Sequence, residues 1–492
     1  MSAVDTLVVG GGVDGLVAAL AAARAGRRAV VLEARSELGG LAGGAAFAEG
    51  YRHAGILHDT ATFRLQVAKA LGLAAHGLKL RPRPQVWAGG VWLTPEAVAG
   101  ALPTGDAAGY RRLRTFVERV APFAAALLDA PPPDVREEAP LWPLVKPAVG
   151  LRRLGAADMR ALLKIGPTAL RDWLSEHVTD GRLMAALALP ALLGTWMGPM
   201  SPSSTGFYLL REALLGPQEV EGGPAALVAA LASACEKAGV VLRADAPVAR
   251  IAVADGTVQG ATLEDGTDLY AERVVCALAP ARLLDLLQPL VLPASVEAAL
   301  EHVRARGIVG KVHLALSAPP SFGRREDVEH AVLAEDTVHL EHAFDDAKNG
   351  RLPSRPPPLD VRVLGGPHAP DGHRVLSILA FGVPHALRSG WDDAARQAVL
   401  EGVLSALEAH DPAIRDKVVA REVLAPTDLE ARFGLPGGHL FHGEHALDQL
   451  WSLRPTPQLS GYRAPIAGLR LASSGCHPGF GLTGLPGLHA AG

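Results

Sequence analysis

A glycine cluster set between a short apolar run and an alanine-rich helix pattern constrains this chain more than any other feature. Thr6 to Val9 reads as a buried parallel strand, short and ended by glycine. Gly10-Gly11-Gly12-Val13-Asp14-Gly15 follows. Val13 to Ala25 carries good helix formers, and Gly26 is placed to stop that helix. Ala29 to Leu32 is a second apolar run. Together these make a βαβ unit of about 30 residues. Gly10, Gly12 and Gly15 spell G-x-G-x-x-G at the strand-to-helix turn. The first glycine permits the tight turn, the second lets backbone approach a pyrophosphate, and the third lets helix and strand pack closely. The helix N-terminus then aims free N–H groups at the phosphates. Glu33 ends the second strand, 21 residues beyond Gly12. An acidic residue there accepts hydrogen bonds from ribose hydroxyls and repels a 2′-phosphate, which disfavours NADP.

Composition removes several other classes. The chain has 492 residues, a formal net charge of −4, 49% hydrophobic and 20% charged residues. That balance excludes a long disordered tail and a nucleic-acid binder resting on bulk positive charge. The length exceeds what one hydrophobic core serves, so two packed units are expected. Cys235, Cys276 and Cys476 are too few for a disulfide scaffold, and no Cys-x-x-Cys pair writes a dithiol centre or a zinc site; no metal is expected. The first residues, Met-Ser-Ala-Val, carry no basic start, so the cytoplasm is the expected location. The apolar run Leu183 to Leu193 contains Pro190 and falls short of the ~20 residues of a membrane span. It reads as a buried or surface-dipping helix, and with Trp196 it leaves peripheral membrane contact open.

A second organised block begins at Gly222-Gly223-Pro224. A helix pattern runs from Ala225 to Ala238, then strand-like runs alternate with Asp255-Gly256 and Asp265-Gly266 turns up to Val274–Ala277. Asp-Gly between alternating runs is a strong hairpin signal. A third block starts at the strand Leu469–Ala472 and continues through a glycine-rich loop into Leu485–Ala491. The expected architecture is α/β: a Rossmann-type domain assembled from 1–75, 216–290 and 435–492, with an inserted α+β substrate domain from 76–215 and 291–434.

Two motifs identify the cofactor class by resemblance. Glu33-Ala34-Arg35-Ser36-Glu37-Leu38-Gly39-Gly40-Leu41 resembles the Glu-Ala-Arg-x-x-x-Gly-Gly extension of FAD enzymes of the amine oxidase and phytoene desaturase superfamily. Gly475-Cys476-His477-Pro478-Gly479-Phe480-Gly481-Leu482-Thr483-Gly484-Leu485-Pro486-Gly487 resembles the flavin-contacting motif of phytoene dehydrogenase-related proteins. Gly437–Glu444 and Leu453-Arg454-Pro455 resemble the branch called pyridine nucleotide-disulfide oxidoreductase domain-containing protein 2. Cys476 stands where Thr is usual, and Val13-Asp14 where His-Asn is common. The resemblance implies non-covalent FAD held by Gly10, Gly12, Gly15, Glu33, Ala34, Arg35, Gly40 and Leu41. It further implies contacts from the backbone of Val248 at the adenine end and from Gly475, Thr483, Gly484 and Leu485 at the flavin end. A helix opening near Gly484 would stabilise negative charge on reduced flavin.

Catalytic candidates are fewer. Lys311, in the strand-like run Gly307–Leu314, resembles the amine oxidase lysine that holds a water near flavin N5; a surface lysine is the competing reading. His477 sits in the flavin loop. His53, His58 and His442 are weaker candidates. Trp87, Trp92, Trp142, Trp173, Trp196 and Phe207 are expected either to line a substrate pocket or to fill a core. The expected activity is dehydrogenation of a CH–CH bond in a small apolar or amphipathic substrate, with hydride transfer to flavin N5 and an electron acceptor left open. Oxidation of a CH–N bond is the closest alternative. A non-catalytic binding protein is another, since GDP dissociation inhibitors share this general architecture.

Overall fold

The computed structural model describes residues 4–135, 145–289 and 291–492. In chain order, the N-terminal segment supplies β1 (Val4–Val9), α1 (Val13–Arg24) and β2 (Ala29–Leu32). Two short strands follow, β3 (Trp87–Ala88) and β4 (Val91–Trp92), then helices α2 (Thr104–Asp129), α3 (Gly181–Leu192) and α4 (Ser204–Leu214). The middle block is α5 (Gly223–Lys237), β5 (Val241–Arg243), β6 (Val248–Ala254), β7 (Thr257–Leu263) and β8 (Asp268–Cys276). Then come β9 (Val309–Leu316), β10 (His330–Leu333), β11 (Leu359–Leu364), β12 (Arg374–Phe381), β13 (Val418–Leu424) and α6 (Pro426–Phe433). The chain closes with β14 (Leu469–Leu471) and α7 (Leu485–Ala490).

The first sheet runs β6-β7-β8-β1-β2-β5, with β14 pairing to β8. Its parallel part joins strands that are far apart in sequence: Val9 pairs with Leu32 on one side and Cys276 on the other. All four residues of β2 are buried, and Leu7 and Val8 of β1 are fully buried, as a sheet covered on both faces requires. The meander β6–β8 turns at Asp255-Gly256, where both residues take positive φ. That is the two-residue turn whose twist matches the flanking strands. Packing of α1 against α7 and α5 covers one face of this sheet.

The second sheet runs β13-β9-β12-β11-β10-β3-β4 and is antiparallel except where β10 meets β3. Its outer face packs Val312, Leu314 and Leu316 against Leu400, Val403 and Leu407. Its inner face is polar. Lys311 pairs with Leu379, Asp360 also pairs with Leu379, and His313 and Arg362 both pair with Ser377. Residues directly opposite in a ladder share a face. Three neighbouring strands therefore present Lys311, His313, Ser377, Asp360 and Arg362 on one side, and that side is buried.

Helix α3 carries the apolar run that was a candidate for a membrane surface, and its Leu183, Leu189 and Leu192 lie in the core. Trp87, Trp173 and Phe207 are core residues. Trp92 and Trp196 are half-buried under Arg325 and Arg306 guanidinium groups. Trp142 lies outside the described residues. No helix among the described residues is long and apolar enough to cross a membrane.

Candidate active site

A cleft opens at the carboxyl ends of β1 and β2, where α/β folds place their ligands. Gly10, Gly12, Glu33, Arg35, Gly40 and Leu41 form one wall, and Ser473, Ser474, Gly481 and Leu482 another. The glycine turn is built by close approach. A Cβ on Gly15 would fall 2.0 Å from the Gly10 carbonyl, so only glycine lets α1 pack onto the turn. A Cβ on Gly12 would meet nothing within 4 Å, because that position faces the cleft. No side chain caps α1, which leaves its first N–H groups free for a ligand.

Glu33 is buried at the end of β2. Its Oε2 accepts a hydrogen bond from the Gly11 N–H at 2.8 Å, and Oε1 accepts one from the Arg35 N–H at 3.1 Å. The Arg35 guanidinium also lies 3.5 Å from Oε1; a carboxylate offers about four acceptor positions, so capacity remains for a ligand hydroxyl. Gly11, a variable position in the motif, is held tightly: a Cβ there would sit 2.7 Å from Leu38 and 3.2 Å from Glu33. The Arg35 guanidinium lies 4.8 Å over the Phe433 ring, which brings α6 across the Glu33 end of the cleft.

The cleft continues past Leu57, Gly481 and Leu482 into a second pocket walled by His58, Asp59, Asp360, Phe441, His445 and Phe480. Behind this pocket stands the polar face of the second sheet. The Lys311 Nζ donates to Ser377 Oγ at 2.7 Å and lies 3.3 Å from His58 Nδ1. The other nitrogen of His58 is 3.2 Å from Asp360 Oδ1, and His330 Nε2 is 3.0 Å from the same oxygen. Burial brings the Lys311 ammonium down to about 7. Burial, aided by the Lys311 charge, brings His58 down to about 4. Burial alone would raise the Asp360 carboxyl, yet His330 and His58 together hold it well below its ordinary value.

Further along the same face, His313 Nδ1 meets Glu422 Oε2 at 2.9 Å, and the His53 ring stacks on His313 at 4.3 Å with planes 2° apart. These three side chains present ligand atoms within 4.8 Å of one another. Two parallel imidazoles cannot aim their in-plane lone pairs at one ion, so the arrangement is a stacked pair with a carboxylate partner.

Arg454 organises the loops on the C-terminal wall of the cleft. It is 1% exposed and donates to the carbonyls of Phe441, Gly443, Glu444, Gln449, Ser474 and Cys476. One side chain thus ties the loop of Gly437–Glu444 to the loop that carries Ser474 and Gly481. His445 stacks on Phe480 at 3.9 Å and accepts the Phe480 N–H at 2.9 Å.

Comparison with known proteins agrees with this geometry. The model of flavin containing amine oxidoreductases matches residues 104–487, and that of FAD dependent oxidoreductases matches residues 5–61. The chain belongs to the flavin containing amine oxidoreductase family. It is 31% identical over 543 residues to pyridine nucleotide-disulfide oxidoreductase domain-containing protein 2 of Rattus norvegicus, spanning 99% of this chain and 92% of the relative. It is 28% identical over 527 residues to hydroxyneurosporene desaturase of Cereibacter sphaeroides, spanning 99% and 96%. Putrescine oxidase shares the fold at a TM-score of 0.60 and 17% identity, covering 99% of this chain and 97% of that one.

FAD is the cofactor of this family, and the cleft fits it. Bound FAD would find room for its pyrophosphate at the open side of Gly12 and free acceptor capacity for a ribose hydroxyl on Glu33. Asp14 Oδ1 and His442 Nδ1, on residues that line the cleft, have no hydrogen-bond partner. Not every residue named from the sequence faces it. Ala34 is exposed outside the cleft, and Gly15 acts through packing. Val248 begins β6 opposite Leu263 and does not line the cleft; its neighbour Ala246 donates to the Glu33 carbonyl at 2.9 Å. In the C-terminal loop the lining residues are Ser473, Ser474, Gly481 and Leu482. Gly475 packs on Pro280, while Thr483, Gly484 and Leu485 form the turn into α7.

His477 does not line the cleft. Its ring is buried against the backbone of Leu127 and Leu128 near the end of α2, away from the cleft. The loop reverses direction there, so neighbours in sequence point to opposite sides. Lys311 is buried, which removes the surface reading. Asp360, Ser377, His330 and Arg454 were not singled out as site residues. Asp360 and Arg362 alternate with apolar residues in Leu359–Leu364, a pattern that by itself reads as a solvent-facing edge.

Proposed function

We propose that this chain is an FAD-dependent dehydrogenase acting on a CH–CH bond of an amphipathic substrate, with the cluster Lys311–Ser377–His58–Asp360 managing the proton. The observation that carries the reading is this buried chain of titratable groups beside the pocket that continues from the cofactor cleft. Bound FAD supplies the two-electron acceptor to which the substrate loses a hydride. Dehydrogenation also releases a proton, and it needs a base in a dry pocket. Asp360 and His58 face the pocket, while Lys311 stands behind them. A lysine that titrates about 7 takes up and releases a proton near neutrality without a large driving force. Phe441 and Phe480 give the pocket apolar walls that orient a carbon skeleton.

In this reading residues 1–75, 216–290 and 435–492 bind FAD, and 76–215 with 291–434 bind substrate. The relative named as a desaturase supports the CH–CH assignment. The family description and the fold shared with putrescine oxidase favour CH–N oxidation as the second reading. The test is anaerobic bleaching of the flavin absorbance by saturated CH–CH substrates and by amines. Bleaching by amines alone overturns the CH–CH assignment. A colourless protein that cannot be reconstituted with FAD overturns the dehydrogenase reading altogether.

A further inference from the structure

We propose that the cavity beside the reacting pocket is an anion chamber that seats the carboxylate or phosphate end of the substrate on Arg83. The inference rests on the dehydrogenase reading above. The cavity has a volume of about 510 Å³ and shares Asp59, Pro190 and Arg211 with the pocket that His58 and Asp360 face. Its size lies within the range of small-molecule sites. A ligand filling both spaces would hold one end in the chamber and present the other to the flavin.

The charges on the chamber wall decide what that end is. Every carboxylate there already meets a cation. Asp59 lies 3.7 Å from Arg211 and 3.5 Å from Arg362. Glu212 accepts from Arg114 at 2.8 Å, and Glu118 lies 3.9 Å from Arg114. Arg83 differs. Its guanidinium, half-buried on the wall, makes no ion pair and no side-chain hydrogen bond among the described residues. Asp59 and Glu212 act on it only at a distance. His330 adds a second unmet group: its Nε2 is committed to Asp360, and Nδ1, on a ring 5% exposed, has no partner. With Nε2–H donating, Nδ1 is an acceptor for a hydroxyl, an N–H or a water beside the anion.

These features argue against two other ligands. A hydrocarbon would leave Arg83 and His330 desolvated without partners. An ammonium head would face an unneutralised guanidinium. A carboxylate or phosphate instead gains a charge-assisted, fork-to-fork contact.

The experiment is calorimetric titration of the FAD-loaded protein with octanoate, octanamide, octylamine and octyl phosphate, with flavin difference spectra recorded in parallel. Octanoate or octyl phosphate should bind more tightly than octanamide or octylamine, and whichever of the two anions binds tighter identifies the head. Arg83→Gln should weaken anion binding roughly 10- to 100-fold, the loss expected for one charged contact. Arg83→Lys should retain part of it. Both variants should keep the FAD content and flavin spectrum of the parent. Equal affinity for octanoate and octanamide, absence of anion binding, or an unchanged affinity in Arg83→Gln overturns the proposal. If Arg83→Gln does not fold, the comparison of octanoate with octanamide on the parent protein decides. Failure to bind FAD counts against the dehydrogenase reading alone, because calorimetry reports anion binding with or without flavin.

Discussion

Replacing Lys311 with methionine should make this protein more stable at neutral pH while removing a titrating group from its flavin chemistry. Lys311 is fully buried on β9, and burial lowers the ammonium from 10.5 to about 7. The unfolded side chain takes up its proton below 10.5, the folded one only below about 7. Between those values the unfolded state binds more protons, so stability rises with pH across that window. At about 1.36 kcal/mol per pH unit, and with the folded lysine half protonated at pH 7, the penalty there is about 4 kcal/mol. Methionine keeps most of the apolar stem and removes the charge. It also removes the donor to Ser377, a loss of about 1 kcal/mol. The net gain at pH 7 is roughly 2–3 kcal/mol. Urea unfolding at neutral pH and about three units higher measures it: the parent should gain stability over that interval and the mutant should not. In stopped flow, reoxidation of the photoreduced parent by oxygen should show a group titrating about 7, absent from the mutant, with FAD content unchanged. A mutant that loses stability at pH 7 and keeps the parent's rise with pH would refute the reasoning, because the ammonium would then be compensated in the fold.

Substitutions at three other residues probe the cofactor side. Glu33→Ala should weaken FAD binding by at least about tenfold, since charged hydrogen bonds to ribose are worth ~1.5–3 kcal/mol each. It should also lower apo-protein stability by about 1–3 kcal/mol, because the carboxylate holds the Gly11 and Arg35 N–H groups; flavin fluorescence titration and thermal melts separate the two effects. Asp14→Asn should flatten the pH dependence of apo-protein stability. Burial raises the Asp14 carboxyl to about 7, so its stabilising proton is fully held below 3.8 and lost as pH rises through 7. It is also the control for Lys311, the other group placed about 7. Arg454→Met should destabilise by about 3–5 kcal/mol and release FAD, because six carbonyls, five of them in buried contacts, lose their donor. Arg454→Lys should rescue little, as an ammonium cannot reproduce the fork; equal FAD retention in parent and Arg454→Met on gel filtration would count against that role.

The part of the site built by local chemistry is legible in the residues alone. The strand, glycine turn, helix and acidic residue of a βαβ unit lie within 33 residues. Each is specified by backbone sterics and hydrogen bonding over a few neighbours, so Gly10, Gly12, Glu33 and the Asp255-Gly256 turn could be read directly. Even there Gly11 went unread, because its constraint is the Glu33 side chain arriving from the next strand. The polar pocket depended on tertiary structure. The alternation in Leu359–Leu364 shows that one face is polar, but only the packing of the FAD-side loop carrying His58 onto that face makes it the inside. His477 shows the same limit in reverse: its motif is local, yet its ring lies against α2 and outside the cleft lining. Lys311 was visible as a charge in an apolar strand. Whether such a charge meets water or a buried histidine is set by residues some 250 positions away, and no period in the strand itself carries that information.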